Sequence, residues 1–381
     1  MRSKIFVCTL LFCCQCLLSL GQLKVTFITN KIPAVKDADT HLFAAGDFNN
    51  WNPSDNLFEL PKQTDGTWQL SKTLSKGIYN FKITRGSWQR VECAADGKAI
   101  DNRSFKLSHD TTIMVDIAGW QDSFKPEEKK HTASPNVHII TEKFDMPQVG
   151  RQRRIWVYLP ADYESSHKKY PVIYMHDGQN LFDEFTSGYG EWGVDEIIDK
   201  LPAKDQCIIV GIDHGGEYRM LEYNPYDSKY GKGQGREYVD FLVRTLKPYI
   251  DQHYHTKADA EHTTIAGSSM GGLISMYAVL KYPDIFGNGG IFSPSFWIAP
   301  EMFNYAQQNL NSKSRLYFVC GDSEGDGMVK PMDKMVKLVR SKGIALQNSP
   351  EVIVKGAKHN EKQWNGDFSA FYQWLLKSGS Q

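Results

Sequence analysis

The pentapeptide Gly267-Ser268-Ser269-Met270-Gly271 has a spacing that could support nucleophilic catalysis. Such a G-x-S-x-G element places its central serine on a sharp strand-to-helix turn, where small flanking residues let the two elements approach. A short β-branched run, 262–266, precedes it, and apolar residues recur at helical spacing over 273–280. The pattern predicts Ser269 as a nucleophile and the N–H of Met270 as an oxyanion donor at a helix start. A tight turn without chemistry is the alternative interpretation.

A serine hydroxyl is a poor nucleophile near neutral pH, so Ser269 needs a base, and the base needs an orienting carboxylate. In hydrolases built on this element the chain order is serine, acid, histidine, with the last two in loops after later strands. His359 fits the base, because it is the only histidine that follows the acidic loop. That loop contains Asp322, Glu324 and Asp326. We favour Glu324 as the acid, although the spacing alone does not separate the three.

An oxyanion hole needs a second backbone N–H, which a loop after an earlier strand usually donates. The loop 176–180, His-Asp-Gly-Gln-Asn, follows an apolar strand pattern at 171–175. We assign the second donor to the N–H of Gln179. An ordinary turn at Asp177-Gly178 is the alternative.

The acidic loop also resembles the start of a calcium-binding loop, because its three carboxylates alternate before Gly327. However, it follows a strand rather than a helix, lacks the terminal glutamate, and reaches Pro331 where such a loop should continue. We therefore assign no metal ligands. The serine-based chemistry requires neither a metal nor an organic cofactor.

Charge and cysteine content argue against several classes of protein. The 381-residue chain has 44 Lys plus Arg and 44 Asp plus Glu, so its formal net charge is zero. This balance argues against a nucleic-acid partner and a polybasic membrane patch. Outside the first 21 residues the cysteines are Cys93, Cys207 and Cys320, an odd and sparse set that does not suggest a disulfide framework.

The N-terminal segment has the pattern of a secretory signal. Arg2 and Lys4 precede an apolar stretch over 5–20, and small residues follow at the usual cleavage spacing. We expect removal of 1–21 and export of the mature chain, to the periplasm or out of the cell. A retained membrane anchor is the alternative, and no later stretch is apolar and long enough to span a bilayer.

Two domains and a linker are predicted. Residues 22–120 show period-2 alternation, as at 79–84, between turn-forming residues, which predicts a small all-β, immunoglobulin-like sandwich. Residues 121–135 are rich in charge, Pro and Ser and are typical of a linker. From 136 to 381 strands alternate with helices, which predicts an α/β fold with a mostly parallel sheet covered by helices on both faces.

The second domain has seven predicted strands and four predicted helices. The strands are 154–159, 171–176, 207–212, 263–266, 290–292, 315–320 and 351–354. The helices are 238–253, 270–281, 328–340 and 363–376.

Several motifs of the second domain occur together in one enzyme family. The matching segments are 174–178, 211–213, 222–225, 246–251, 266–272, 293–297, 320–321 and the His359 loop. With these motifs, residues 136–381 resemble the esterase family of α/β-hydrolases that includes feruloyl and acetyl-xylan esterases of carbohydrate esterase family 1, enterochelin esterases and mycolyltransferases. The resemblance implies an α/β-hydrolase fold.

The resemblance bears on two residue assignments. In this family the acid lies a few residues beyond a Cys-Gly pair, here Cys320-Gly321, which supports Glu324. The residue after the Asp-Gly pair supplies an oxyanion N–H, which supports Gln179. Many relatives have Thr at the position of Asp322 and Asp as the acid, so Asp322 stays an alternative.

The first domain is similar to carbohydrate-binding modules of the starch- and glycogen-binding type. The segments 43–51 and 77–82 carry this resemblance. Such modules stack flat aromatic faces on sugar rings, so Trp51, Trp68 and Trp88 are candidate binding residues. Core packing is the alternative for each of them.

Together these patterns predict a secreted serine carboxylesterase that removes ester-linked acyl groups from plant-type polysaccharide or oligosaccharide. Feruloyl is favoured over acetyl, because Trp297 and Trp364 lie near the triad loops and would suit an aromatic acyl group. Core packing is the alternative for both residues. A siderophore esterase of the enterochelin type would use the same triad. A non-catalytic glycan-binding protein is the alternative from another class. The sequence does not indicate an oligomeric state.

Overall fold

The computed structural model describes residues 22–35, 40–49, 51–125 and 129–377, except for the side chain of Asp326. The predicted signal segment 1–21 lies outside the described residues. Contacts divide the chain into two compact units, with the boundary between 128 and 129. The predicted linker, 121–135, spans this boundary.

The described part of the first unit consists of strands and short 3-10 turns. Its strands are β1 (Gln22–Thr29), β2 (Leu42–Gly46), β3 (Glu59–Leu60), β4 (Trp68–Ser75), β5 (Gly77–Thr84), β6 (Glu92–Cys93), β7 (Arg103–Leu107), β8 (Thr111–Met114) and β9 (Gly119–Trp120). The 3-10 turns are Asp47–Asn49, Asn56–Phe58, Trp88–Arg90 and Gln121–Ser123.

These strands form a three-stranded sheet in the order β4-β1-β8, a four-stranded sheet in the order β3-β2-β5-β7 and the pair β6-β9. Both larger sheets bury side chains in one hydrophobic core, where Phe27 of β1 meets Phe81 of β5 edge-on at 5.0 Å between ring centroids. Alternation of apolar and polar residues thus produces an all-β unit. Its immunoglobulin-like topology stays a prediction.

The second unit is built on an eight-stranded sheet in the order β10-β11-β13-β12-β14-β15-β16-β17. The strands are β10 (Val137–Met146), β11 (Arg151–Tyr158), β12 (Val172–His176), β13 (Ile208–Ile212), β14 (Thr263–Ser268), β15 (Asn288–Phe292), β16 (Arg315–Gly321) and β17 (Glu351–Val354). The pairs β10-β11 and β11-β13 are antiparallel, and the other neighbours are parallel. Strands β12 to β15 are buried along their whole length, as expected for the centre of a parallel sheet.

Helices cover both faces of this sheet. They are α1 (Val194–Asp199), α2 (Arg219–Glu222), α3 (Gly235–Phe241), α4 (Lys247–His253), α5 (Met270–Lys281), α6 (Glu301–Asn309), α7 (Asp326–Ser341) and α8 (Glu361–Leu376), with a π-helical turn, Leu242–Leu246, joining α3 to α4. The 3-10 turns are Gly178–Asn180, Ala203–Asp205, Gly216–Tyr218, Ala260–His262, Phe296–Ile298 and Leu346–Asn348.

Successive residues of one strand face opposite layers, as the pleat requires. Tyr174 of β12 packs in the core that contains α3 and α5 to α7, whereas the preceding Ile173 packs in the core that contains α1 and α8. The sheet therefore separates two hydrophobic cores.

All seven predicted strands are present, with bounds shifted by a few residues, and so are the four predicted helices, of which 238–253 is divided into α3, the π-helical turn and α4. Strand β10 was not predicted, because register shifts at Thr141 interrupt the alternation on which its recognition depends. Helices α1, α2 and α6 were also not predicted. The first two have only six and four residues, too few for a clear helical period.

The structure also bears on the cysteines and on membrane-spanning segments. Cys93, Cys207 and Cys320 are all buried free thiols, and burial raises the pKa of Cys207 and of Cys320 to about 12. Within the described ranges, no helix combines the length and apolar character needed to cross a membrane.

Candidate active site

Ser269 occupies the turn between the end of β14 and the start of α5. Its backbone has φ 59° and ψ −119°, a conformation that residues with side chains rarely adopt. Contact distances favour glycine around this turn: a Cβ atom on Gly267 would lie 3.0 Å from the backbone of Gly271, and one on Gly272 would lie 2.8 Å from the carbonyl oxygen of Phe292. The predicted strand-turn-helix geometry is therefore present.

The loop after β15 fixes this turn. The N–H of Ser269 donates to the carbonyl of Phe292 at 3.0 Å, and the carbonyl of Ser269 accepts from the N–H of Ser295 at 3.1 Å. The two hydroxyls, of Ser269 and Ser295, lie 3.2 Å apart. Among the described residues, no hydrogen bond joins Ser269 to His359.

Glu324 and His359 form a hydrogen-bonded pair, with Oε2 of Glu324 2.6 Å from Nδ1 of His359. The glutamate side chain is fully buried, whereas the histidine is one-third exposed. The other oxygen, Oε1, accepts from the Ser293 hydroxyl at 2.7 Å and from the N–H of Gly321 at 2.5 Å. A buried carboxylate with both oxygens bonded is held in one orientation. Nδ1 of His359 is thus occupied, which leaves Nε2 as the nitrogen able to accept a proton.

The other two candidate acids are placed differently. Asp322 is exposed, and its Oδ1 accepts from the N–H of Gly356 at 2.6 Å and from the Ser323 hydroxyl at 3.1 Å. It therefore ties the two loops together rather than orienting the histidine. The side chain of Asp326 lies outside the described part, and its backbone begins α7. Because α7 continues through Pro331, the segment does not follow a calcium-loop path.

Four site residues follow four adjacent parallel strands, β14 to β17. Ser269 follows β14 directly, Ser293 follows β15 directly, Glu324 is the third residue after β16, and His359 is the fifth after β17. The carboxyl ends of parallel strands share one edge of a sheet, which is where open α/β sheets bind their ligands.

Trp364 and Ser293 complete a hydrogen-bond chain that the sequence did not reveal. Nε1 of Trp364 donates to the Ser293 hydroxyl at 2.9 Å, and that hydroxyl donates to Glu324. The Trp364 ring also meets the His359 ring edge-on at 5.0 Å. Trp364 is only 5% exposed, so the expectation that it contacts substrate does not fit its burial. Trp297 is 49% exposed in the turn after Ser295 and stays a substrate-contact candidate.

The proposed oxyanion donors lie at the starts of two helical turns. Gln179 is the second residue of the turn Gly178–Asn180 after β12, and Met270 is the first residue of α5. First-turn N–H groups lack acceptors within their own helix. Gly178 is confined by β13, because a Cβ there would lie 2.8 Å from the backbone nitrogen of Ile212.

A mostly buried ion pair between Asp177 and Arg219 holds the loop 176–180 in place. Asp177 has φ 58°, and its two carboxylate oxygens accept from Nε and an Nη atom of Arg219 at 2.7 and 2.8 Å. Burial alone would raise the pKa of Asp177, but the Arg219 guanidinium lowers it below its usual value. The N–H of Asp177 also donates to the Tyr223 hydroxyl at 3.3 Å. Sequence spacing gave no signal for Arg219, because 42 residues separate it from Asp177.

His176 lies beneath the serine turn and is not available as a base near neutral pH. Burial lowers its pKa to about 3, and its Nδ1 is 2.9 Å from the Tyr238 hydroxyl. Its Cδ2 atom would lie 3.0 Å from a Cβ on Gly267. We therefore interpret His176 as part of the packing that supports the turn.

The tryptophans of the first unit differ in exposure. Trp88 is 41% exposed, and its ring lies 6.2 Å from that of Trp51 with a 35° angle between the planes. Trp51 donates from Nε1 to Asp47 at 3.0 Å. Trp68 is 9% exposed and packs in the core of the unit, so its predicted sugar-stacking role does not fit.

A family model described as "Putative esterase" matches residues 147–375, and the chain belongs to this family. It is a carboxylic ester hydrolase.

Three curated relatives show the range of similarity. The uncharacterized protein YbbA of Bacillus subtilis is 27% identical over 244 residues, which cover 58% of this chain and 92% of YbbA. An endo-1,4-beta-xylanase/feruloyl esterase of Xylanibacter ruminicola is 25% identical over 64% of this chain and 31% of its own length. The iron(III) enterobactin esterase of Dickeya dadantii is 31% identical over 39% of this chain and 32% of its own length.

Solved structures support the fold. A ferulic acid esterase aligns with a TM-score of 0.50 and 21% identity, covering 64% of this chain and 98% of the esterase. An enterochelin esterase from Shigella flexneri aligns with a TM-score of 0.51 and 14% identity, covering 93% of this chain and 92% of that enzyme. At these identities the likeness shows an α/β-hydrolase-like fold and no more.

Proposed function

We propose that this chain is an exported serine carboxylesterase that removes acyl groups, feruloyl in preference to acetyl, from plant-type polysaccharide. The observation that carries the proposal is the buried Glu324 carboxylate bonded to His359, on the same sheet edge as the strained Ser269 turn. This combination is the one that a serine acyl-transfer mechanism requires.

In the proposed reaction, the Ser269 hydroxyl attacks the acyl carbon while Nε2 of His359 accepts its proton. The N–H groups of Gln179 and Met270 donate to the oxyanion of the tetrahedral intermediate. When the intermediate collapses, the bond to the sugar oxygen breaks, and His359 returns the proton to that oxygen. Water then attacks the acyl-serine by the same steps and releases the free acid. Glu324 holds the neutral histidine in the tautomer protonated on Nδ1 and stabilises the imidazolium that forms.

The hydroxyl of Ser269 must turn for this step. It lies 3.2 Å from the Ser295 hydroxyl, and in the proposed reaction it exchanges this contact for one with Nε2 of His359. Catalytic hydrogen bonds are often long or absent before substrate binds and tighten in the complex.

Two observations favour a feruloyl group on a polysaccharide. The exposed Trp297 ring offers an apolar face near the loop that holds Ser295, suited to an aromatic acyl group. The exposed Trp88 and the half-buried Trp51 of the first unit, 6.2 Å apart, offer flat surfaces for sugar rings. The xylanase/feruloyl esterase relative agrees with this substrate class. Similarity to an iron(III) enterobactin esterase makes a siderophore ester the second candidate.

A substrate panel tests the proposal. The purified mature chain is incubated with methyl ferulate, acetylated xylan and a catecholate siderophore, and kcat/KM is measured for each, with Ser269→Ala as the control. We expect the highest value for methyl ferulate. Hydrolysis of the siderophore alone would favour the second candidate, and no hydrolysis of any ester would favour a glycan-binding protein. Detection of the chain starting after residue 21 in the periplasm or medium tests the proposed export.

A further inference from the structure

Three carboxylates outside the proposed triad converge at the start of α1. Glu191, Asp195 and Glu196 each offer an oxygen atom, and these atoms all lie within 4.8 Å of one another. Within the described ranges this is the one group of three or more acidic, histidine or cysteine side chains placed closely enough to share an ion. The hydrogen-bond partners of each carboxylate oxygen show which oxygens are free to bind an ion.

Each carboxylate has one bonded or exposed oxygen and one buried oxygen without a partner. Asp195 is fully buried, its Oδ2 accepts from the N–H of Ser134 at 2.7 Å, and its Oδ1 has no hydrogen-bond partner. Oε2 of Glu191 accepts from the Thr132 hydroxyl at 2.8 Å, while its Oε1 is buried and unpartnered. Oε2 of Glu196 is also buried and unpartnered. Native structures rarely leave such groups unsatisfied, because desolvation without a partner is costly.

A further unpartnered oxygen belongs to Ser134, the residue whose backbone bonds Asp195. This hydroxyl oxygen is buried. Four buried oxygens from three side-chain types are thus left without donors. Each of them is an acceptor that a cation could satisfy.

No positive side chain compensates this charge. The described residues form no salt bridge to any of the three carboxylates, and the nearby His131 is bonded instead to Asp183 at 2.8 Å. Three carboxylates packed this closely without a cationic partner among the described residues need either bound protons or a bound cation.

We propose that Glu191, Asp195, Glu196 and Ser134 form a site for a hard divalent cation, with Ca²⁺ as its best match. All four donors are oxygens, which hard cations prefer over the nitrogen and sulfur donors that suit zinc. Ca²⁺ accepts irregular arrangements of about six to eight oxygens and completes its shell with water, whereas Mg²⁺ requires a near-ideal octahedron.

Binding of Ca²⁺ at this site would stabilise the second unit. The bound ion would join the segment 132–134 to the loop that follows the Gln179 turn. That loop already returns to the turn through the N–H of Trp192, which donates to the carbonyl of Asn180 at 2.8 Å. The proposed ester hydrolysis uses none of the four ligands, so the site is independent of that function.

The test uses the mature chain after treatment with a chelator, at pH 8. Binding of Ca²⁺ is measured by isothermal titration calorimetry, and thermal unfolding is followed with and without the ion. We expect saturable binding and a rise in Tm of about 5 °C at a hundredfold excess over Kd. Asp195→Asn and, separately, Glu191→Gln should lose both responses. Glu184→Gln removes an exposed carboxylate from the same loop and should keep both.

Several outcomes would overturn the site. One is that Ca²⁺ produces no heat of binding in the calorimeter and no change in Tm. This result would mean that protons, rather than a cation, neutralise the carboxylates. Another is a Tm shift that is equal in the wild type and in both ligand variants. A response to Zn²⁺ alone would contradict the choice of a hard cation. The titration is repeated on Ser269→Ala, where an unchanged response separates this proposal from the proposed esterase activity.

Discussion

The Oε2 atom of Glu324 lies 2.6 Å from Nδ1 of His359, although 35 residues separate the two along the chain. Asp322, only two residues from Glu324, instead accepts from the backbone of Gly356. Two neighbouring carboxylates in one loop therefore have different partners. The proposed mechanism assigns orientation of the base to Glu324 and loop packing to Asp322.

Replacing the proposed acid tests this division. Glu324→Gln keeps the shape but replaces the acceptor facing Nδ1 with an amide, so the favoured tautomer of His359 is lost. We expect kcat for an aryl ester to fall by roughly 10³- to 10⁴-fold. Asp322→Asn is the matched control and should stay within a few-fold of wild type. Equal losses in the two variants would contradict the assignment of Glu324.

The strained turn at Ser269 leads to a stability prediction. Ser269→Ala and Ser269→Gly should both abolish turnover, because neither has a hydroxyl. Glycine adopts a φ of 59° without the steric cost that a Cβ imposes. We therefore expect Ser269→Gly to be more stable than Ser269→Ala by about 1 kcal/mol in urea unfolding. A less stable glycine variant would show that the turn is not strained.

Breaking the ion pair between Asp177 and Arg219 should destabilise the protein. Arg219→Ala leaves the Asp177 carboxylate without its partner, and we expect a loss of about 3 kcal/mol in the free energy of unfolding, the lower end for buried pairs, because Arg219 keeps 23% of its side chain exposed. The exposed pair of Lys168 and Asp162, 2.7 Å apart, provides the control. Lys168→Ala should cost at most about 1 kcal/mol. Similar losses in both variants would refute a structural role for the Arg219 pair.

The buried His176 should weaken the fold in acid. Its pKa is about 3 when folded and near the ordinary value of 6.5 when unfolded, so the unfolded chain binds more protons between these values. Stability then falls as pH drops below about 6.5, by up to about 1.4 kcal/mol per pH unit. We expect His176→Asn to show a smaller decrease than wild type between pH 7 and 5 in urea unfolding. His167→Asn, at an exposed position, should match wild type; an unchanged decrease in His176→Asn would contradict the prediction.

The exposed Trp297 tests the acyl preference. Trp297→Ala should raise KM for methyl ferulate by about tenfold, because one aromatic contact is worth about 0.5–1.5 kcal/mol beyond area burial. KM for a small acetyl ester should change much less. Trp88→Ala, in the other unit, should leave both values unchanged for these soluble esters. Equal increases for both esters in Trp297→Ala would argue against an aromatic acyl pocket at this position.

Local spacing predicted the parts of the site that depend on local structure. The turn at Ser269 depends on five consecutive residues, and His359 could be recognised by its order in the chain. The choice of Glu324 depends on backbone geometry, since the N–H of Gly321 and the hydroxyl of Ser293 capture its second oxygen. No spacing rule reports such contacts.

Two other features escaped prediction for the same reason. Trp364 reaches Ser293 across 71 residues, and its burial removes it from the surface where a substrate contact was expected. Strand β10 contains bulges, so its apolar and polar residues do not alternate regularly. Its place at the sheet edge is fixed by antiparallel pairing with β11. Long-range packing, rather than local propensity, fixes these parts of the fold.

The site residues follow the four adjacent strands β14 to β17, and the distance across these strands limits where the loops can place them. Neighbouring strands are about 4.8 Å apart, so β17 lies about 14 Å from β14. Ser269 follows its strand directly, whereas the five residues 355–359 carry His359 from the end of β17 to Glu324, which follows β16. In the proposed mechanism the length of this segment sets the reach of the base. We therefore expect a one-residue deletion within 355–359 to remove the proposed catalysis.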